Sequence, residues 1–215
     1  MPLIPAELKL EAEKSCAGLS QKVKVLCFTQ SACSLCRQAG DFAQELAALS
    51  KKLMVSIYDA DEKALLVTSC GLDKFPAYVI LAESGRDYGF RAFGVPVGYA
   101  FQPFMYGICL AGRYAETAID PTFEKITAIN RSIHIEVIAA STSQACINVI
   151  RTAYNIAYIN DKIRADWIDV SGFPDIAKQY NVQDEPRVIL NGSLVDAKLG
   201  ISDAILTYGA YGEGY

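Results

Sequence analysis

The sequence VKVLCFTQSACSLC occupies residues 23–36 and joins an apolar run to a closely spaced pair of cysteines. Residues 23–28 are short, apolar and partly β-branched, which indicates a strand. A loop of small and polar residues follows, and a helical pattern then covers residues 37–51. The stretch therefore predicts a strand, a loop and a helix, with Cys33 and Cys36 where the helix begins.

A second copy of this pattern begins 110 residues later, where IHIEVIAASTSQAC occupies residues 133–146. The same offset relates Asp59 to Asp169 and Pro76 to Pro186 without any insertion. A constant offset across strand, loop, helix and proline indicates an internal repeat. Each half is therefore predicted to contain strand, helix, strand, helix, and a final strand that follows a proline and ends in a turn.

Strands that alternate with helices predict βαβ units and an α/β fold with a central sheet. Asn191–Gly192 and Ser84–Gly85 are predicted to be the turns that close the final hairpins. The boundary between the halves is predicted near residues 112–120, which gives units of 1–115 and 116–215. The predicted helices cover residues 6–16, 37–51, 62–70, 121–130, 147–159 and 174–180.

Charge and composition exclude several classes of partner. The chain has 20 basic and 24 acidic residues and a net charge of −4, so its overall charge exerts no general attraction toward nucleic acid or anionic lipid. The uncharged stretch 93–112 is interrupted by Pro96 and Pro103 and would form a poor membrane span. The first residues lack the pattern of a signal peptide, which predicts a cytoplasmic location.

The pair Cys33 and Cys36 has the C-x-x-C spacing of a redox motif. The N-terminus of a helix presents free N–H groups and a partial positive charge, which stabilise a thiolate, the nucleophile of disulfide exchange. Cys33 is therefore predicted to attack a disulfide, and Cys36 to resolve the mixed disulfide that forms. The motif predicts a thiol–disulfide oxidoreductase with no cofactor beyond the redox-active disulfide.

Three other interpretations of the Cys33–Cys36 pair stay open. A structural zinc site needs four ligands, usually in two close pairs, whereas this chain has one close pair and one histidine, His134. A cluster shared between two copies of the chain, or two incidental buried cysteines, would also fit the spacing. Cys16 and Cys109 are candidates for a structural disulfide. We expect no metal.

A proline precedes the last long strand of each half. Pro76 lies 40 residues after Cys36, and Pro186 lies 40 residues after Cys146. A cis bond at such a position would leave neighbouring backbone groups able to pair with a peptide substrate as an added strand. Phe75, Pro76 and Pro186 are therefore predicted to bind substrate.

Taken together, these features resemble the protein disulfide oxidoreductases of archaea and thermophilic bacteria, which are glutaredoxin-like proteins of two fused thioredoxin folds. The resemblance spans nearly the whole chain and implies a mixed sheet flanked by helices in each unit. It also implies reduction, oxidation or isomerisation of protein disulfides, with a flavin-dependent reductase as electron donor. The matching segments are CSLC at 33–36, Phe75–Pro76, GFRAFGVPVGYAF at 89–101, AKQYNV at 177–182, Pro186 and Asn191–Gly192.

One large departure from this family lies in the second half. Both units of the family usually carry C-x-x-C, but here Ser143 stands at the position that corresponds to Cys33, and only Cys146 is retained. A serine hydroxyl is too weakly acidic to replace a thiolate without a dedicated base. Glu185 is expected to place a carboxylate near Cys146 and disfavour its thiolate. The second site, Ser143 and Cys146, is therefore predicted to be redox-dead.

Two alternatives to a general oxidoreductase follow from this asymmetry. In the first, the chain is a peptide-binding, chaperone-like module whose second half holds unfolded substrate beside Pro186. In the second, it is an electron carrier to a peroxiredoxin, similar to the N-terminal domain of the flavin-containing component of alkyl hydroperoxide reductase. That domain also has two thioredoxin folds and one live motif, but its live motif lies in the second unit.

Overall fold

The computed structural model describes residues 2–31, 33–112, 121–183, 185–196 and 199–211. Its helices are α1 Ala6–Ala17, α2 Cys36–Ala48, α3 Ala64–Ser69, α4 Phe101–Gly112, α5 Pro121–Thr127, α6 Cys146–Ile159, α7 Pro174–Gln179 and α8 Ile201–Tyr211. Its strands are β1 Val23–Thr29, β2 Leu53–Asp59, β3 Ala77–Ala82, β4 Asp87–Phe93, β5 Ile133–Ala139, β6 Ile163–Asp169, β7 Arg187–Leu190 and β8 Ser193–Leu194.

The two halves repeat each other in the order and the register of their strands. β1 pairs in parallel with β2, with Val23 opposite Leu53, and β5 pairs in parallel with β6, with Ile133 opposite Ile163. In each half the next strand, β3 or β7, runs antiparallel to the first and lies on its other side. The predicted α/β fold with a mixed sheet is therefore confirmed. The predicted unit boundary at 115/116 lies outside the described residues.

The two halves share one continuous sheet of eight strands in the order β2-β1-β3-β4-β6-β5-β7-β8. They meet where β4 pairs in parallel with β6, with Phe90 opposite Ala165 and Phe93 opposite Ile168. A sheet that ended at β4 would leave a row of unpaired N–H and C=O groups at its edge. Pairing with β6 satisfies these groups, so two predicted sheets become one.

Apolar side chains cover both faces of this sheet. The larger core contains side chains of α2, α4 and α6, among them Phe42, Phe104 and Tyr154. The smaller core lies on the opposite face, where Val67 of α3 and Ile176 of α7 pack on the strands. None of the described helices is both long enough and apolar enough to cross a lipid bilayer.

Three glycines allow β4 and the segment after it to approach the second half. A Cβ atom on Gly94 would lie 2.6 Å from the Cβ of Asp169, and one on Gly98 would lie 2.8 Å from the carbonyl oxygen of Ser141. A Cβ atom on Gly89 would lie 2.7 Å from the carbonyl oxygen of Ile163. All three have positive φ, at +79°, +114° and +57° in chain order. The glycines of the 89–101 run are thus required by close contact between the halves.

Buried ionic groups lie beside the same strand pair. Arg91 is 3% exposed, and its guanidinium donates to Asp87 and to the carbonyl oxygen of Cys70. Opposite it on β6, Asp166 accepts hydrogen bonds from His134 and Arg164. Burial alone would raise the pKa of Asp166, but these two hydrogen bonds lower it overall. His134 therefore has a structural partner in the buried carboxylate of Asp166.

We predict that Gly94→Ala destabilises the protein more than Gly85→Ala does. Gly85 also has a positive φ, +90°, but a Cβ atom there meets no atom within 4 Å. Both substitutions strain the backbone, and only Gly94→Ala adds a clash with Asp169, which costs about 1–3 kcal/mol. Urea denaturation of both variants measures the difference. Equal losses of stability would show that the halves do not depend on this contact.

Candidate active site

Cys33 and Cys36 form a disulfide at the end of β1, where α2 begins. The backbone N–H of Cys36 donates to the carbonyl oxygen of Cys33 over 3.2 Å, so the motif forms a tight turn into the helix. Cys33 is half-buried, whereas Cys36 is 4% exposed. An incoming thiol or disulfide therefore reaches the sulfur of Cys33 and is screened from that of Cys36.

Gln30 contacts the motif from the end of β1, a role that the sequence did not reveal. Its backbone N–H donates to Cys36 Sγ over 3.2 Å, and its side-chain amide donates to Asp61 over 3.1 Å. A backbone N–H directed at sulfur stabilises negative charge on it. Gln30 is the first residue after a strand, and nothing in its type distinguishes it from other loop residues.

The loop before β3 completes the surroundings of Cys33. The carbonyl oxygen of Phe75 lies 3.6 Å from Cys33 Sγ, and the Phe75–Pro76 peptide bond is cis. The carbonyl oxygen of Pro76 accepts a hydrogen bond of 2.9 Å from the N–H of Gly94. The structure therefore brings Cys33, Cys36, Phe75 and Pro76 together at one end of the sheet.

The second half repeats the backbone of this site with different chemistry. The N–H of Cys146 donates to the carbonyl oxygen of Ser143 over 3.2 Å, as Cys36 does to Cys33. Cys146 is completely buried, and burial, together with the carboxylate of Asp169, raises the pKa of its thiol to about 11. The carboxylate that acts on Cys146 is therefore Asp169, and the expectation that Glu185 does so was wrong.

Asp169 is the buried acidic residue of this second site. It accepts hydrogen bonds from the backbone N–H of Ser141 over 3.1 Å and from the hydroxyl of Ser171 over 2.9 Å. Burial raises the pKa of Asp169 although these bonds oppose the shift. The repeat pairs Asp169 with Asp59, but only Asp169 is held inside the protein, because the β4 segment packs against it.

Pro186 does not reproduce the geometry of Pro76. Among the peptide bonds of the described residues, only that between Phe75 and Pro76 is cis, so the bond before Pro186 is trans. Pro186 instead borders a cavity of about 480 Å³ that also contacts Ala145 and Val149 of the second motif and its helix. The two prolines thus occupy matching places in the repeat and different local surroundings.

The remaining cysteines are placed in the protein interior or between helices. Burial raises the pKa of Cys27 to about 12 and that of Cys16 to about 11. No disulfide joins Cys16 to Cys109. Within the part of the chain that the structure describes, no three His, Cys, Asp or Glu side chains are grouped as ligands of one metal ion.

We predict that, after reduction, iodoacetamide modifies Cys33 at pH 8 and leaves Cys146 unmodified. Cys146 is buried and its pKa is about 11, so its thiolate is scarce until the pH approaches that value. Mass spectrometry of digested protein gives the extent of modification at each site. In urea both thiols should react. Modification of Cys146 in the folded protein as fast as in urea would contradict this environment.

The chain resembles known sequences at low identity, and no family model matches it. An alkyl hydroperoxide reductase component, AhpF, from Xanthomonas campestris pv. phaseoli is 24% identical over 160 residues, which are 74% of this chain and 28% of that protein. Its counterpart from Pseudomonas aeruginosa is 23% identical over 71% of this chain and 29% of its own length. The chain thus spans less than a third of these relatives.

Two solved structures cover nearly the whole chain. The N-terminal domain of the alkyl hydroperoxide reductase AhpF from Enterococcus faecalis superimposes with a TM-score of 0.86 at 22% identity, over 94% of this chain and 98% of that one. A protein disulfide oxidoreductase from Aeropyrum pernix has a TM-score of 0.85 at 21% identity, over 99% and 96% of the two chains. The chain therefore has the thioredoxin-type fold of these two proteins, in the tandem form that its repeat predicted.

Proposed function

We propose that the chain is a thiol–disulfide oxidoreductase that acts on protein disulfides through Cys33 and Cys36. The observation that carries the proposal is the unequal exposure of two cysteines at the start of one helix. Cys33 is half-buried beside the carbonyl oxygen of Phe75, and Cys36 is almost fully buried behind it. The fold, shared with a protein disulfide oxidoreductase from Aeropyrum pernix, supports the same chemistry.

In the reductive direction, the dithiol form of the motif supplies two electrons. The thiolate of Cys33 attacks one sulfur of the substrate disulfide and forms a mixed disulfide, while the other substrate sulfur leaves as a thiolate and takes a proton. The thiolate of Cys36 then attacks Cys33 Sγ, releases the second substrate thiolate and closes the Cys33–Cys36 disulfide. The N–H of Gln30 stabilises the charge on Cys36 before this second attack.

Phe75 and Pro76 are proposed to bind the polypeptide next to the reacting sulfur. The carbonyl oxygen of Phe75 already lies 3.6 Å from Cys33 Sγ, within reach of a backbone N–H of a chain bonded there. An extended substrate would therefore pair with this segment by main-chain hydrogen bonds, which do not depend on its sequence. This arrangement favours a broad range of protein substrates.

We propose further that the unit 116–215 performs no redox exchange and that the unit 1–115 performs all of it. Ser143 offers no thiol, and the thiol of Cys146 is buried with a pKa of about 11. A reacting thiol needs a substantial thiolate fraction and access to its partner, and Cys146 has neither. In this proposal, Pro186 serves to bind the substrate polypeptide.

The proposed electron donor is a flavin-dependent reductase, and no resident cofactor or metal is required beyond the cysteine pair. The similarity to alkyl hydroperoxide reductase AhpF supports a donor of this kind. This chain matches 28% of the length of the Xanthomonas protein, which its name describes as part of a reductase. The same likeness favours a second candidate function, in which the chain carries electrons to a peroxiredoxin. A peroxiredoxin-coupled peroxidase assay distinguishes this role from general reduction of protein disulfides.

We predict that Cys33→Ser lowers the rate of insulin disulfide reduction by about 100-fold or more, because the motif then has no thiol at its half-buried position to begin the exchange. Cys146→Ser, the matched substitution in the second half, should leave the rate within about twofold of the unmodified protein. Turbidity of precipitating insulin B chain, with a chemical reductant as donor, measures both rates. A loss with Cys146→Ser as large as that with Cys33→Ser would refute the assignment of all exchange to the first unit.

A further inference from the structure

We propose that the cavity beside Pro186 is a second docking site for the substrate polypeptide and binds one of its aliphatic side chains. The side chain would come from a residue about six positions away from the cysteine that reacts with Cys33. This inference rests on the proposed function and adds to it a rule about which disulfides are reduced fastest. It gives the second unit, which lacks the reactive thiol, a role in substrate selection.

The cavity has the size and lining of a side-chain pocket. Its volume is about 480 Å³, and it lies between the start of α6, the start of β7 and residues 195, 196 and 199–201. Ligand-binding clefts typically hold about 300–1,000 Å³. Its apolar wall is formed by Val149, Val188, Val195, Leu199 and Ile201.

Sheet topology places this cavity at the same edge of the sheet as the Cys33–Cys36 disulfide. The successive strand pairings give β1, β4, β6 and β5 the same direction. The ends of β1 and β5 therefore lie on the same side of the sheet. The helices α2 and α6 begin at this edge, after Cys33 and after Ser143. β7 runs antiparallel to β5 and therefore starts there, directly after Pro186. One extended polypeptide can reach both places.

The distance between the two places follows from the strand order. Phe75, which contacts Cys33, precedes β3, and Pro186 precedes β7. Four strand spacings separate β3 from β7 in the sheet, which corresponds to about 19 Å at about 4.8 Å per spacing. An extended chain advances about 3.3 Å per residue, so about six residues span this distance.

The surface between the two places is continuous protein. Leu35 of the motif lies against the loop of the second half, because a Cβ atom on Gly172 would come within 3.0 Å of Leu35 Cδ1. The N–H of Tyr99 donates to the carbonyl oxygen of Ser141 over 2.8 Å, and the tyrosine is 44% exposed. A bound chain would cross apolar and aromatic surface on its way from Cys33 to the cavity.

The lining selects an aliphatic segment over an ionic ligand. Among the described residues, the charged ones that line the cavity are Glu185, Arg187 and Asp196, which carry both signs and give no concentrated field for an anion or a cation. The aliphatic wall instead stabilises an apolar side chain that leaves water to enter the cavity, as a protein core stabilises buried leucine or isoleucine. Such side chains are buried in folded substrates and exposed in unfolded ones, so the site favours incompletely folded chains.

The test uses synthetic peptides that react with the reduced protein. Each peptide is built from serine, glycine and alanine and carries one cysteine joined by a disulfide to a chromophoric aromatic thiol. Attack by Cys33 on the peptide sulfur breaks that disulfide, forms a protein–peptide mixed disulfide and releases the coloured thiolate. Cys36 then displaces the peptide thiolate and closes the Cys33–Cys36 disulfide, so the protein dithiol supplies both electrons.

Peptides differ only in the position of a single leucine, placed one, three, six or nine residues from the cysteine on either side, or omitted. The dependence of the rate on protein concentration gives an apparent dissociation constant separately from the maximal rate. We expect the leucine at six residues, on one of the two sides, to lower the dissociation constant about tenfold relative to the leucine-free peptide. The maximal rate should not change.

Two variants block the cavity in different ways. Ala145→Trp fills it from an exposed position, and Val149→Asp places a carboxylate in its wall. Asn148→Trp is the matched control, since Asn148 is exposed on the same helix and does not line the cavity. Both blocking variants should remove the tenfold effect of leucine, and the control should keep it. Reaction with the leucine-free peptide should be unchanged in all three, and circular dichroism verifies that they fold.

A dissociation constant that does not depend on the position of the leucine would overturn the inference, and so would a tenfold effect that survives both blocking variants. Either result leaves the proposed function intact, because the leucine-free peptide still reports exchange at Cys33. If no peptide reacts with the reduced protein at all, the proposed function itself fails. The two failures are therefore distinguishable in one set of measurements.

Discussion

Parallel pairing of β4 with β6 is the interaction on which the rest of the structure depends. It joins two repeated halves into one sheet, and it requires Gly89, Gly94 and Gly98 because side chains there would collide with the second half. The same pairing orients both halves alike, so the ends of β1 and β5 share one edge. The N–H of Gly94 also donates to the carbonyl oxygen of Pro76, the residue after Phe75, whose own carbonyl oxygen lies beside Cys33 Sγ. A contact between the halves therefore supports the geometry of the candidate site.

The two halves show how a shared backbone can hold different chemistry. In each, the first helical N–H bonds to the carbonyl oxygen three residues earlier, so the turns at Cys36 and Cys146 match. The difference lies in the side chains around them. Cys33 provides an accessible sulfur, whereas Ser143 does not, and the buried carboxylate of Asp169 opposes ionisation of Cys146. The second half thus keeps the turn of the motif and its fold although Ser143 stands in place of the first cysteine.

The sequence was sufficient for features that depend on neighbours in the chain. Alternating apolar strands, helical patterns and the 110-residue offset predicted the order of elements, and the spacing of Cys33 and Cys36 predicted the disulfide. Features that depend on distant segments were missed. The single sheet, and the burial of Arg91 and Asp166, arise from the pairing of strands that lie far apart in sequence, for which local patterns carry no signal. The sequence pairs Asp169 with Asp59 but does not predict its effect on Cys146, because the burial of Asp169 depends on the same contact.

Trapping of the first covalent intermediate tests the central claim, that exchange begins at Cys33 alone. In a Cys36→Ser variant the resolving thiol is absent, so attack on a substrate disulfide stops at the mixed disulfide. The reduced variant would be incubated with a disulfide-bonded protein substrate, digested without reductant and analysed by mass spectrometry. We expect a substrate peptide linked to the peptide that contains Cys33. A substrate peptide linked to Cys146, or no linked peptide, would contradict it.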